Sequence, residues 1–420
     1  MQSLFEPPAR GELPPSALPL VPIHPLARAT RAPVPVSPVR TTSAPDHATA
    51  LHNCLDRPVV GGNLVELLVD EAQTEAAIFA AVRAARDHVH IECRGFDARG
   101  AGAELVDVLV ARRDAGVSVS VMLDGEATPA DDALLARLRR AGVALCRFNP
   151  PDTWDHPVRR ALHLRDHRKL IIIDGRLALV GGVDEAPAER TRPGRDTHLR
   201  IEGPVVAHLQ EAFVAHWVRE CGRQPSQARH FPGLRRVGGQ RAGVAVCEAG
   251  SRRSPFARAL LAAVERARGR VFITTAHFVP PRPLLEALCA ACRRGVDVRL
   301  LLPGDGAAWR RLAAARAHYA RLLAAGARLF ELPGRAVLAR TAVVDDEWAA
   351  VGSSTLNWSS VSSHATIDVI ALDAVLAAQL ESAFRDDQAS SRAITLEQWS
   401  RRGYLPRLQE WTARRLDFLF

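Results

Sequence analysis

The stretch VELLVDEAQTEAAIFAAVRAARDHVHIECRGF, residues 65–96, contains the alternation that decides the fold. VELLVD is an apolar run of strand length, QTEAAIFAAVRAARD has apolar residues at helical spacing, and VHIECRGF is again a strand pattern. A predicted helix ending at Gly116 and a predicted strand, VSVSVMLDG, continue the series. This alternation predicts an α/β fold with mixed, mostly parallel sheets flanked by helices.

The same succession of elements occurs twice in the chain. VHIECRGF and AGVSVSVMLDG, with a helix between them, correspond to VFITTAHF and RGVDVRLLLPG in the second half. Gly116 and Gly295 are 179 residues apart, and Gly142 and Gly326 are 184 residues apart. A near-constant offset over several elements indicates internal duplication. A duplicated α/β chain predicts one site at the seam between its halves.

The predicted organisation has two similar halves and two flanking segments. The halves are residues 57–225 and 240–390. Residues 1–56 contain 11 of the 28 prolines and no apolar period, which predicts a disordered, extended tail. Residues 391–420 alternate aromatic residues with arginine at helical spacing. This pattern predicts either an amphipathic helix on an acidic bilayer or a segment packed on the body of the protein.

Composition limits the partners and the compartment. The net charge of +9 favours a polyanionic partner, either nucleic acid or an anionic membrane surface. No apolar run reaches the roughly 18 residues of a membrane span, and the first residues lack the pattern of a signal peptide. Seven cysteines, an odd number, argue against a disulfide framework and for a reducing compartment. We therefore expect a cytoplasmic protein, with membrane association left open.

Only one of the 55 basic residues is a lysine, Lys169. It lies in HLRDHRKLIIIDGRLALVGGVDEA, where His167, Lys169 and Asp174 have the spacing H-x-K-x4-D. Residues i and i+2 of a strand share a face, so His167 and Lys169 are predicted to point the same way from a buried strand. An ammonium group neutralises phosphoryl oxygens, and an imidazole attacks phosphorus or moves a proton. The pattern predicts a phosphodiester site, in which Asp174 ends the strand or orients a histidine.

This segment resembles the HKD motif of the phospholipase D superfamily. The resemblance extends from Gly62 to the C-terminus and is strongest to the bacterial cardiolipin synthase branch, as in RDTHLRIEGPVVAHLQEAF (195–213) and AHFVPP (276–281). It implies phosphatidyl transfer or phosphodiester hydrolysis in two steps. One motif histidine forms a covalent phosphohistidine and the other protonates the leaving alcohol, with no metal or other cofactor. The resemblance assigns catalytic roles to His167, Lys169 and Asp174, and supporting roles to Asp196, Asp184 and Gly182.

The second half departs from the motif. Aligning ARTAVVDDEWAAVGSS on the pattern leaves Leu338 at the histidine position. This half-site retains Arg340, Asp345 and Ser353, and it is degenerate at Leu338, Thr355 and Thr366. A leucine transfers no proton, and losing a general acid costs roughly 10²- to 10⁴-fold in rate. His277, His364 or a second copy of the chain could supply the missing group.

Three functions follow from these observations. The favoured one is a phospholipase D-like phosphatidyltransferase or phosphodiesterase that acts on an anionic phospholipid such as phosphatidylglycerol, at the inner face of the cell membrane. The second is a catalytically impaired protein that binds lipid or phosphate. The third is a nuclease of the same superfamily. We expect no nucleic-acid partner, because the arginines are not interleaved with aromatic residues as in single-strand binders.

Overall fold

The computed structural model describes residues 46–97, 100–128, 132–150, 164–182, 194–225, 229–251, 253–304, 309–357 and 364–403. Residues 1–45, residues 404–420 and Asp184 lie outside these ranges, and so do the predictions made for them. Among the helices that the structure describes, none is both long enough and apolar enough to cross a bilayer.

Within the described residues, the first half of the chain has nine strands and five helices. Strands β1 to β9 are Val60–Val69, His88–Cys93, Ser118–Asp124, Ala144–Phe148, Arg165–Asp166, Leu170–Ile173, Leu177–Gly181, Gly194–Arg195 and Thr197–Glu202. Helices α1 to α5, counted over the described residues, are His47–Cys54, Asp70–Ala84, Ala101–Asp114, Ala133–Arg140 and Val205–Cys221.

The second half repeats this succession. Strands β10 to β20 are Gln240–Cys247, Arg270–Thr274, Phe278–Val279, Asp297–Pro303, Arg328–Leu332, Ala336–Val337, Thr341–Val344, Trp348–Gly352, Leu356–Asn357, His364–Leu372 and Arg392–Ile394. Helices α6 to α11, over the described residues, are Pro255–Arg266, Arg282–Arg293, Trp309–Arg316, Tyr319–Ala325, Ala374–Ala389 and Leu396–Ser400.

One continuous sheet carries both halves. From its centre outward, the first half has the order β1-β9-β7-β6-β2-β3-β4, and the second has the same order, β10-β19-β17-β16-β11-β13-β14. The antiparallel pair β1–β10 joins them. The α/β class and the mixed sheet are confirmed. Most strand pairs of the sheet are nevertheless antiparallel, because β6 and β7, like β16 and β17, are joined by tight turns that permit only antiparallel pairing.

Helices cover both faces of the sheet. On β2, Val89 and Ile91 belong to a core cluster with α3 and α4, whereas His90 on the opposite face stacks on Phe213 of α5. Helices α5 and α10 contribute apolar side chains to one cluster that includes strands of both halves. The two halves therefore share a core, and the seam between them is a packed region of the protein.

Two predictions are wrong in part. Residues 47–54 form helix α1, inside the segment predicted to be disordered. Its Leu51 and the following Leu55 are buried in the core cluster that contains Leu260 of α6, and this apolar contact stabilises a segment too short to fold alone. Cys146 of β4 and Cys221 of α5 form a disulfide, against the expectation from the odd cysteine count.

Candidate active site

Two short parallel strand pairs bring the motif segments into the seam. Strand β5, which precedes His167, pairs with the start of β19 in the second half, and the N–H of His167 donates to the carbonyl of Ala365 at 2.9 Å. In the same way β15 pairs with β8, and the N–H of Leu338 donates to the carbonyl of Arg195 at 2.9 Å. Each half therefore holds the motif segment of the other.

His167 and Lys169 lie in a short segment between β5 and β6, not on a strand as predicted. The carboxylate of Asp166 accepts a hydrogen bond from the N–H of Arg168 at 3.0 Å, so this backbone donor is not used for strand pairing. The alternation of side chains is kept: Arg168 points into a buried cluster, and Lys169 lines a pocket.

Arg168 anchors the motif from behind. Its guanidinium group is fully buried and lies 3.5 Å from Glu92 and 2.9 Å from Glu248 of the second half. Glu92 in turn contacts Nδ1 of His216 on α5 at 2.5 Å. Sequence reasoning missed this cluster. The sequence did contain a signal for it. Arg168 stands between His167 and Lys169, which share a face, so its charged side chain must point to the opposite, buried side.

Glu92, Asp166 and His216 bring three possible metal ligands within 4.8 Å of one another. Burial raises the pKa of Glu92 and raises that of Asp166 well above its ordinary value. The Arg168 guanidinium already lies against these carboxyl groups and supplies the positive charge that a metal ion would bring. The cluster is therefore a buried ion-pair network that holds the H-x-K segment in place.

Lys169, the single lysine of the chain, is buried, with 7% of its surface exposed. Burial lowers its pKa to about 8, and the neighbouring Cys93 and Asp196 oppose this shift. Asp196 accepts from the N–H of Thr197 at 2.7 Å. A side chain at Gly182 would collide with the Asp196 carboxylate and with the carbonyl of Leu338. Asp196 is thus placed where a second-half histidine is expected, but that position holds Leu338.

The imidazole of His167 is surrounded by cationic and titratable groups. Its ring stacks on the ring of His364, with centroids 4.1 Å apart and planes 22° apart. Burial lowers its pKa well below the ordinary value, and His364, Arg340 and Arg94 lower it further. His167 is therefore neutral at pH 7, with a lone pair available for attack on phosphorus. Its Nδ1 has no hydrogen-bond partner among the described residues.

The second half-site keeps a cation and a displaced carboxylate. Arg340, at the lysine position, donates to the carbonyl of Ser353. Thr366 replaces the expected acid, and its hydroxyl contacts that of Ser354 at 2.8 Å. Ser354 also donates to Asp368, two residues further along β19, at 2.5 Å. Burial raises the pKa of Asp368 to about 6. The degenerate positions Thr355 and Thr366 are both buried.

The two motif aspartates end their strands. Asp174 has a φ of 53° and Asp345 a φ of 54°, and each carboxylate accepts hydrogen bonds from three consecutive backbone N–H groups of the preceding helix–strand connection. Asp174 is five residues from Lys169, so at about 3.3 Å per residue it lies roughly 16 Å away. These contacts shape the turn that follows β6, which is one of the two roles predicted for Asp174, and its catalytic assignment stays a prediction.

A pocket of about 280 Å³ opens beside Lys169. Its walls are partly apolar, with Ile78 and Phe79 of α2 and Leu105 of α3, and Leu338 closes it from the second half. The lining also includes Arg94 and several acidic residues, among them Glu71 and Asp97. Its apolar part suits the hydrocarbon portion of a ligand.

The sequence of the chain is similar to those of known proteins. Residues 260–388 match the family model described as cardiolipin synthase, PLD-like domain. The chain is 31% identical to cardiolipin synthase A of Pseudomonas putida (strain F1) over 348 residues, which is 81% of this chain and 71% of that protein. It is 28% identical to the major cardiolipin synthase of Bacillus subtilis (strain 168), covering 84% of this chain and 75% of that protein.

The solved structure of phosphatidylserine synthase from Haemophilus influenzae has a similar fold. The TM-score is 0.63 at 13% identity, and the likeness covers 90% of this chain and 99% of that chain. Polyphosphate kinase from Porphyromonas gingivalis is also similar, with a TM-score of 0.52 at 14% identity over 85% of this chain and 52% of that chain. The family-model match lies entirely in the second half, so this half keeps the family fold although its motif has changed.

Proposed function

Because the chain belongs to the cardiolipin synthase family of phospholipase D-like proteins, we propose that it moves a phosphatidyl group between alcohols through a phosphohistidine formed on His167. The chain is accordingly a phosphatidyltransferase of phospholipid metabolism. The observation that supports His167 as the nucleophile is its position: a neutral imidazole close to the guanidinium groups of Arg340 and Arg94.

The proposed mechanism divides the work among these residues. The neutral imidazole of His167 attacks phosphorus, and the cations of Lys169, Arg340 and Arg94 neutralise the non-bridging oxygens as charge develops on them. The pocket beside Lys169 takes the glyceryl part of the substrate and the start of its acyl chains. Its apolar walls favour a lipid over a nucleotide substrate.

We propose phosphatidylglycerol as the substrate and a peripheral position at the inner face of the membrane. The substrate resides in a bilayer, and the net charge of +9 favours an anionic lipid surface. Residues 391–420 are the proposed contact, with residues 404–420 outside the described ranges.

The test is an assay on vesicles of phosphatidylglycerol in phosphatidylcholine. We expect the protein to sediment with anionic vesicles, less so at high salt, and to release cardiolipin and glycerol. Vesicles of phosphatidylcholine alone and a single-stranded DNA substrate serve as the comparison. Folded protein that binds the anionic vesicles without forming cardiolipin or phosphatidic acid would instead support the impaired lipid-binding protein, the alternative that Leu338 and Thr366 favour.

The pH dependence of the reaction is expected to follow Lys169. Its ammonium group must be charged to bind phosphoryl oxygens, and its pKa is about 8, so kcat/KM falls as the pH rises through about 8. In the Lys169→Arg variant the cation persists at every accessible pH, and the alkaline fall is expected to move upward by more than one pH unit. A fall near pH 8 that remains in this variant would assign the titration to another group.

A further inference from the structure

His364 lies where a second catalytic histidine is needed, although it is not at the motif position. Register fixes its place: Arg165 pairs with His364 in the β5–β19 ladder, and the N–H of His167 donates to the next carbonyl, that of Ala365. The two imidazole rings face each other with centroids 4.1 Å apart. Burial is the largest cause of the lowered pKa of His167, and the charge of His364 is the next largest. The two imidazoles therefore interact electrostatically as well.

Phosphatidyl transfer requires a proton donor near His167. When the P–O bond of a phosphodiester breaks, the departing alkoxide needs a proton, and Leu338 has none to give. Arg340 and Arg94 keep their protons at all accessible pH values. Lys169 is two residues from His167 on the same short segment, and its ammonium group is assigned to the phosphoryl oxygens. His277 influences His167 less than His364 does.

We propose that His364 replaces the missing motif histidine as the proton donor and acceptor of the reaction, which rests on the proposed function above. In the first step, His167 forms a P–N bond, the P–O bond to the leaving alcohol breaks, and protonated His364 gives its proton to the departing oxygen. In the second step, neutral His364 takes the proton of the acceptor alcohol, whose oxygen forms a P–O bond as the P–N bond breaks.

The stacked rings leave no room for phosphorus between them, so one ring turns away when substrate enters. His364 is the ring that moves. It is the first residue of β19 and partly exposed, whereas His167 is held between β5 and the Arg168 cluster.

The experiment compares two leaving groups in the full-length His364→Ala variant. With phosphatidylglycerol, whose glycerol needs a proton to leave, we expect the rate of phosphoenzyme formation to fall by roughly 10²- to 10⁴-fold. With phosphatidyl-p-nitrophenol, whose nitrophenolate leaves without a proton, we expect the single-turnover burst of nitrophenol to fall by less than about tenfold.

His277→Ala is the matched comparison, and we expect losses below about tenfold on both substrates. Equal losses of His364→Ala on both substrates would mean that His364 only positions His167, and would overturn the proposal. A selective loss in His277→Ala would overturn the proposal and assign the proton transfer to His277. Unchanged turnover of phosphatidylglycerol by His364→Ala would also overturn the proposal. A wild-type chain inactive on both substrates would contradict the proposed phosphatidyl transfer itself. Far-ultraviolet circular dichroism and urea denaturation report correct folding of each variant.

Discussion

Replacing His167 with alanine is expected to reduce phosphatidyl transfer by on the order of 10⁴-fold or more, the loss usual for a covalent nucleophile. The reason is that the neighbouring cations offer no equivalent lone pair, because Lys169 is mostly charged at pH 7 and Arg340 is always charged. The proposed mechanism uses the neighbouring imidazole of His364 for proton transfer. The measurement is quenched-flow turnover of phosphatidylglycerol labelled in its phosphate. A phosphoenzyme stable to base and labile to acid is expected in the wild type and absent in the variant.

His52→Ala provides the control, because His52 is exposed on α1 and outside the seam. It is expected to retain wild-type turnover and the acid-labile phosphoenzyme. If His167→Ala formed the same phosphoenzyme, the nucleophile would have to be another residue, with His364 the first candidate because of its stacked ring.

Much of the fold could be predicted from periodicity and from the duplication. Gly116 and Gly295 both adopt a φ of 88° after corresponding helices, as duplication requires. The exchange of β5 and β15 between halves could not be predicted, because two-residue strands have no hydrophobic period. Helix α1 escaped prediction for a related reason: Leu51 and Leu55 are too few apolar residues to outweigh the proline content around them, and tertiary burial stabilises them.

The site residues that belong to the motif could be predicted from the sequence. Those brought together by the pairing of strands from opposite halves could not. Spacing placed His167 and Lys169 at a phosphate site. It left His277 and His364 as equal alternatives for the missing histidine, because only the β5–β19 register brings His364 onto His167. The displaced carboxylate Asp368 was hidden for the same reason, since its contact with Ser354 depends on the pairing of β17 with β19.

Arg168, the residue between the motif histidine and lysine, has a structural role of its own. Arg168 is the cation for Glu92, Asp166 and Glu248, which come from both halves. Its counterpart in the second motif is Ala339, so the two half-sites differ on both faces of the segment. The predicted phosphate site depends on a rigid H-x-K segment, and that segment is held by the buried ion pair of Arg168 with Glu92.

Replacing Arg168 with alanine is therefore expected to lower the free energy of unfolding by about 3–5 kcal/mol at pH 7, the usual effect of removing one partner of a buried ion pair. Without the guanidinium group, Glu92 and Asp166 must take up protons in the folded state, and their pKa values there are already raised. The folded variant then binds more protons than the unfolded chain, so its stability falls as the pH rises from 5 to 8.

Urea denaturation at pH 5 and pH 8 measures this difference, and Arg219→Ala is the matched control. Arg219 contacts the same Glu248 at 2.5 Å, but its side chain is 44% exposed, and loss of a surface pair changes stability by no more than about 1 kcal/mol. The Arg168→Ala loss is expected to be several times larger and to be smaller at pH 5 than at pH 8. Equal losses in the two variants would show that the buried side of Arg168, facing Glu92 and Asp166, does not stabilise the motif segment.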